Sequence, residues 1–474
     1  MPHTRLVAEL RGALDRQRVQ DSDAALRLHG HDASSYRSVP AVVCFPLSTA
    51  EVQAIVQIAA RHDVSVVPRG SGTGLAGGAV PPEGAVVIVT TKMNRIVELN
   101  AEERFAWVEP GVLNLDLTRA AAPFGLQFAP DPSSQQACSI GGNVANNSGG
   151  PHCLAYGVTS AHVLAVEVVL GSGEVVMLGG LDPEPLGMDL RGAFVGSEGT
   201  CGIATRIAVR LTPLTEVVRT LLIDVDDVAD GAAIVSAVIA AGIVPAAMEM
   251  MDQRCVVAVE AFTHAGLPID AAAVLLVEVD GQLDGVDAQV DSITEIARGC
   301  GARSVRVAAD ETERALWWKA RKSAFGAIAR IKPDYYLHDT VVPRHRLVEV
   351  LTEVYAIAER HDLLVMNVFH AGDGNLHPLL VFDRREPGVL DRVHSAGAEI
   401  VRASVAAGGV LSGEHGIGLE KREFMPLQFT PADLDAQLRL RRAFDPAGRC
   451  NPGKVLPAPA GCGDATSHAD GLWV

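Results

Sequence analysis

The chain has 474 residues, 48% of them hydrophobic and 20% charged, with a formal net charge of -17. That is long and apolar enough for two main domains with buried cores. The acidic balance argues against nucleic acid and anionic lipid as main partners, and any anionic substrate must be met by a local Arg, Lys or metal.

Residues 6–18 have helical spacing of aliphatic and charged side chains, with no continuous apolar stretch of the kind a secretory signal needs. From residue 41 to about 215, short β-branched runs alternate with glycine-rich turns. Strands are expected at 64–67, 85–89, 105–108, 163–170, 174–178 and 203–211, and a helix at 48–62 with a Ser or Thr cap and Glu51 in its first turn. Pro213 marks a seam. Beyond it, strands at 220–225, 272–280, 303–307 and 363–369 alternate with helices at 231–241, 286–299, 311–331 and 347–361. This pattern implies an antiparallel sheet covered by helices, a second α+β domain. The small, polar residues after Lys454 read as a disordered tail. Apolar runs such as 234–244 are too short to span a bilayer. The eight cysteines (Cys44, Cys138, Cys153, Cys201, Cys255, Cys300, Cys450 and Cys462) form no C-x-x-C pair. They read as thiols of a reducing compartment, not as disulfides or iron–sulfur ligands. A cytoplasmic chain is expected, with peripheral association at the inner face of the membrane left open.

Two segments stand out in the first half. Residues 66–78, V-V-P-R-G-S-G-T-G-L-A-G-G, match G-x-G-x-x-G after a strand. A Rossmann loop would continue into a helix, but Pro81 and Pro82 follow. An interior proline costs a helix about 3 kcal/mol and a glycine about 1. A glycine-rich loop can still hold phosphate in a nest of peptide N–H groups. Residues 130–150, with P-D-P-S-S and then S-I-G-G-N-V-A-N-N-S-G-G, are small and permissive, suited to close approach to a planar ligand. A third piece, G-S-E-G-T-C-G-I, runs from Gly196 to Ile203.

In the second half, residues 369–378 read F-H-A-G-D-G-N-L-H-P between two apolar strands, which implies a hairpin flanked by His370 and His377. S-G-E-H-G-I-G follows at 412–418. Imidazoles with a carboxylate suit Zn²⁺, Mn²⁺ or Fe²⁺. From spacing alone, two histidines beside a turn are more often hydrogen-bonding groups than metal ligands.

Together these motifs resemble the FAD-binding domain of the vanillyl-alcohol oxidase, or PCMH-type, flavoprotein superfamily. Within it the chain is similar to the D-2-hydroxy-acid dehydrogenases, the branch of glycolate oxidase D subunits and D-lactate dehydrogenases. The likeness spans about residue 30 to Lys454. It implies an α+β fold: an N-terminal helical segment (1–37), a two-subdomain FAD-binding domain (38–216), an α+β substrate domain with an antiparallel sheet (217–456) whose C-terminal helical segment returns to the flavin, and the tail (457–474). It implies non-covalent FAD, although His152 lies near a position that is flavin-linked in some relatives. The implied FAD contacts are Arg69, Gly70, Ser71, Gly72, Thr73, Gly74, Gly78, Pro130, Asp131, Ser134, Gly141, Gly142, Asn143, Ala145, Asn147, Gly149, Gly150, Glu198, Gly202, Ile203 and Asn451. His370, His377 and Glu414 are the implied ligands of a divalent metal (Zn, Mn or Fe), His415 the base, and Arg321 the partner of the substrate carboxylate.

The implied reaction oxidises glycolate or D-lactate to the 2-oxo acid. A metal assists deprotonation of the hydroxyl, His415 takes the proton, and hydride passes to flavin N5. Tyr335, Tyr336 and His338 are further pocket candidates, and Phe325 and Leu379 favour a small substrate over D-2-hydroxyglutarate. A metal-free oxidase of another alcohol and an inactive flavin-binding scaffold subunit are the alternatives. The electrons would leave to a separate acceptor: quinone through partner subunits, a cytochrome or an electron-transfer flavoprotein. A homodimer is also compatible with the resemblance.

Overall fold

The computed structural model describes residues 3–182 and 187–457. The expected tail, apart from Pro457, lies outside the described residues, as does Cys462. The chain divides into two compact units.

The first unit takes residues up to Gly149, then 158–214, then the chain from Glu414 on. It holds two main sheets, in keeping with the two-subdomain expectation, and a small antiparallel pair of Leu126–Gln127 with Thr212–Pro213. In the smaller main sheet, Val42–Cys44 and Val66–Arg69 lie parallel to Val86–Val89 between them, and Val19–Gln20 closes one edge. These central strands are short apolar runs because both faces are covered. Helices Thr4–Ala13 and Thr49–Arg61 pack Leu6, Leu10, Val52 and Ile55 against Val86 and Ile88. Ser48 caps the second of these helices at the Glu51 amide, and Glu51 in turn holds Arg18 through both carboxylate oxygens.

The larger sheet is antiparallel, in the order Ile96–Asn100, Phe105–Val108, Ile203–Arg210, Val163–Val169, Val175–Gly179. Its core joins Val108, Leu117, Ile140, Val166 and Ile207. Ile140 belongs to a helix, Ile140–Asn146, where the composition reads as a permissive loop. Ser139 caps it by accepting from the Gly142 amide, and Asn147 ends it in the left-handed conformation, φ 52°. Gly141 is tolerated because it touches Pro110: a Cβ there would lie 2.6 Å from the proline ring.

The C-terminal helical segment is Pro431–Phe444, opened by a capping box between Thr430 and Asp433. The chain after it runs beside the strand that feeds the glycine loop. Val66 donates to the Arg449 carbonyl at 2.9 Å, and the Asn451 amide donates to the Val66 carbonyl at 2.8 Å.

The second unit comprises 150–157 and 215–413. Its sheet runs Ala302–Val307, Val217–Val225, Ala273–Gly281, Ala247–Asp252, Leu364–His370, all antiparallel, and Pro378–Phe382 pairs with both Leu364–His370 and Asp334–Leu337. Helices Val228–Ala240, Leu283–Gly299, Leu347–Arg360 and Val389–Ala406 cover it through Val235, Ile293, Val354 and Ile400. The single helix expected at 311–331 is two, Glu311–Lys322 and Ala324–Ile328. Ser323 ends the first, and its carbonyl starts the second by accepting from Ala327; Ser323 and Gly326 are both weak helix formers.

Candidate functional site

In the first unit, Val66–Arg69 delivers the chain into the glycine loop. No helix follows, in keeping with Pro81 and Pro82. Gly72 and Gly77 take φ of +75° and +78°, which favour glycine. Among the described residues, the amides from Ser71 to Gly78 donate to no protein acceptor. Half-buried N–H groups without partners are costly unless a ligand meets them, and a run of them turned by left-handed glycines is an anion nest. Ser71, Thr73 and Gly74 lie on this half-buried arc. The arc is held from behind: Ala33 donates to the Gly74 carbonyl at 2.9 Å, and buried Arg69 donates to the His31 carbonyl at 2.6 Å.

The second cluster packs against this loop. Gly70 lies so close to Ser139 that a Cβ would come within 2.2 Å of its hydroxyl. Asn114 donates through Nδ2 to the Pro130 carbonyl and to Asn143 Oδ1, both at 2.9 Å, fixing two predicted FAD contacts in the interior. Asp131 is buried beside them in sequence, and the Ser134 carbonyl closes the turn on Ala137 and Cys138. The Ala145 carbonyl accepts from Glu198, and Asn147 Oδ1 accepts from Ser160. Gly202, at φ 132°, sits where a Cβ would strike Val168 and Val169, and Ile203 starts the adjoining strand. Gly149 ends one stretch of the first unit, while Gly150 falls in the second.

Asn451 closes the arrangement. Its Nδ2 donates to the Gly78 carbonyl at 2.8 Å and the Glu198 carbonyl at 2.7 Å, and its Oδ1 is buried with no protein partner. An orphaned acceptor and a row of unpaired amides on the same loops fit a nucleotide-bearing cofactor such as FAD.

Glu198 does something the motif does not reveal. Its carboxylate accepts from Ile417 N–H at 2.6 Å and Gly418 N–H at 2.8 Å. Burial pushes its pKa up to about 7, against the downward pull of those two amides and of Lys454 and Lys421. Asn146 Nδ2 donates to the His415 carbonyl at 2.9 Å. The backbone around the candidate base is thus fixed on both sides by residues of the flavin motifs.

In the second unit, the hairpin read from Gly-Asp-Gly is present, with Gly374 at φ 72° in the turn. His370 ends one strand and His377 directly precedes Pro378–Phe382. Both are buried, and their rings lie 5.0 Å apart at 87°. His370 Nδ1 is 2.6 Å from Glu249 Oε1. Glu249 Oε2 is 2.5 Å from an Arg321 guanidinium nitrogen. Burial would raise the Glu249 pKa, but Arg321 and His370 outweigh it and hold it at about 2. His377 Nδ1 is 3.9 Å from Asp339 Oδ1, and Asp339 also accepts from the Ser412 hydroxyl at 2.5 Å and the Gly413 amide at 3.0 Å. Glu414 and His415 are the next residues in the chain and are assigned to the first unit. A buried, mutually perpendicular imidazole pair with acidic partners is a donor set that fits a divalent cation.

Glu249 and Asp339 are not marked by any motif. The signal for Glu249 was a lone carboxylate in the apolar run A-A-M-E-M-M. Arg321 is buried on Glu311–Lys322 and ion-paired, not on a solvated helix face. Tyr336 packs edge-on to His338 at 4.6 Å, Phe325 stacks with Tyr335 at 6.1 Å, and Leu379 is fully buried in its strand. His152 Nε2 is engaged by Glu278 at 3.1 Å, with its ring beside Trp318.

Residues 214–455 match the FAD linked oxidases, C-terminal domain, and residues 40–179 match the FAD binding domain. Glycolate oxidase subunit GlcD of Escherichia coli strain K12 is 45% identical over 91% of this chain and 86% of its own. A probable mitochondrial D-lactate dehydrogenase of Danio rerio is 32% identical over 95% of this chain and 92% of its own. Among solved structures, 4-ethylphenol oxidase of Gulosibacter chungangensis superposes with a TM-score of 0.81 at 20% identity, covering 97% of this chain and 98% of that one, a likeness of fold.

Proposed function

Because the chain belongs to the FAD-linked oxidase family, we propose that it oxidises a small D-2-hydroxy acid, glycolate or D-lactate, to the 2-oxo acid. The relatives' names support the substrate class. The observation that carries the chemistry is the buried pair His370 and His377, with Glu249 hydrogen-bonded to His370 Nδ1 at 2.6 Å and Asp339 3.9 Å from His377 Nδ1.

The cation ligands in this reading are His370, His377 and Glu414. Glu414 follows Gly413, whose amide is held by the same Asp339 that faces His377. When bound there, a divalent cation acts as a Lewis acid toward the substrate hydroxyl, and FAD on the glycine loops accepts the two electrons. His415 takes the hydroxyl proton, since an imidazole titrates near neutral pH. Asn146 holds the carbonyl of His415, and Glu198 the two amides that follow Gly416, so that the base does not drift. Arg321 spends one guanidinium nitrogen on Glu249, and the rest of its fork serves the substrate carboxylate in a protein whose overall field repels it. The GlcD relatives are named as subunits, which supports electron export through partner subunits.

The test is anaerobic mixing of the flavoprotein with glycolate, D-lactate, L-lactate and D-2-hydroxyglutarate, with metal analysis of the same sample. Flavin bleaching by glycolate or D-lactate that is lost on chelation and restored by Zn²⁺, Mn²⁺ or Fe²⁺ is expected. Bleaching that survives chelation in metal-free protein defeats the metal-assisted route.

A further inference from the structure

Glu249 stands at the centre of Ala247–Asp252, directly opposite His370 in the antiparallel register. Opposed residues on neighbouring strands project to the same face, so the fold itself delivers this carboxylate to this imidazole. One oxygen meets His370 Nδ1 at 2.6 Å and the other meets Arg321 at 2.5 Å. All three side chains are buried, at 1%, 4% and 2% exposure.

The ion pair with Arg321 keeps Glu249 a carboxylate, and a carboxylate only accepts hydrogen bonds. The ring nitrogen facing it must therefore carry the hydrogen. In a neutral imidazole that leaves the lone pair on Nε2 alone. A histidine so held is fixed in tautomer and in ring orientation before any cation arrives, and its donor nitrogen is made more basic.

We propose that Glu249 is a positioning residue: it locks His370 as the Nδ1–H tautomer, presents Nε2 to a divalent cation, and is itself held by Arg321. The proposal rests on His370 being a ligand, as in the reading above. It gives Arg321 a second duty, anchoring the carboxylate that anchors the ligand.

The experiment uses the full-length flavoprotein with Zn²⁺ as the probe, its dissociation constant measured by competition with a chelator. Glu249→Gln keeps its flavin and binds Zn²⁺ about ten- to a hundredfold more weakly than the unmodified protein, and Glu249→Asp, which retains the charge, falls between them. A Glu249→Gln protein that melts normally and holds Zn²⁺ as tightly as the unmodified protein overturns the proposal. If the glutamine variant does not fold, ring ¹⁵N spectra of the Zn²⁺-loaded unmodified protein decide: His370 protonated at Nδ1 supports it, and His370 protonated at Nε2 overturns it. His370→Ala separates the two readings. Undiminished Zn²⁺ binding in His370→Ala means that the ligand assignment fails and Glu249 falls with it. Loss in His370→Ala without loss in Glu249→Gln means that only the positioning role fails.

Discussion

Replacing Gly70 with alanine puts a methyl group 2.2 Å from Ser139 Oγ. That overlap cannot be absorbed in place, because the same hydroxyl accepts from the Gly142 amide and caps Ile140–Asn146. Turning Ser139 away sacrifices the cap, worth about 1 kcal/mol, and residual crowding of a packed contact adds about 1 to 2 kcal/mol. A total of about 2 to 3 kcal/mol lowers the melting temperature of a unit this size by about 4 to 12 °C. The next atom the methyl group would meet is Ser139 Cβ at 3.5 Å, an ordinary contact. In a Ser139→Ala background, where the cap is already gone, Gly70→Ala should therefore cost almost nothing further. The assay is a double-mutant cycle by denaturant unfolding, with flavin content read from absorbance in each variant. A Gly70→Ala cost that is the same in both backgrounds refutes the steric argument and detaches the glycine loop from the Ile140–Asn146 cap.

Asn146→Ala frees the His415 carbonyl; about a tenfold lower kcat with unchanged flavin content is expected, the scale of a misplaced reacting group. Glu198 has a folded-state pKa of about 7 because burial favours its neutral form. The folded state therefore binds this proton more tightly than the unfolded chain, and its contribution is present below pH 4.5 and lost as pH rises through 7. Stability of the flavin-free protein should drop by about 3 kcal/mol over that window from this group, and Glu198→Gln should flatten this part of the pH profile in denaturant titrations. Arg321→Ala leaves Glu249 buried beside His370 without its cation, which should destabilise the second unit by about 3 to 5 kcal/mol. Arg321→Lys keeps the charge, so its melting temperature should stay closer to that of the unmodified protein while KM for the hydroxy acid rises.

What could be read from the sequence was the chemistry that is local in it. Pro81 and Pro82 exclude a Rossmann helix by backbone sterics alone, and the loop obeys. His370 and His377 flank a Gly-Asp-Gly turn, so a hairpin brings them together whatever the rest of the chain does. The groups that orient them are not local. Glu249 lies 121 residues from His370 and meets it only once two strands pair. Its own strand, A-M-E-M-M-D, has residues that favour helix, and burial between neighbours overrides that preference. Helix Ile140–Asn146 escaped for a related reason. Gly141 and Gly142 argue against a helix, and the contact with Pro110 that retains Gly141 is invisible without the fold. Glu198 was readable as part of a flavin motif, yet its carboxylate is committed to amides 219 and 220 residues later. Groups that touch a ligand recur in compact motifs because one loop must present them together. Groups that aim those residues need only arrive from somewhere in the core, and a lone charge in an apolar strand, as at Glu249, is the trace they leave.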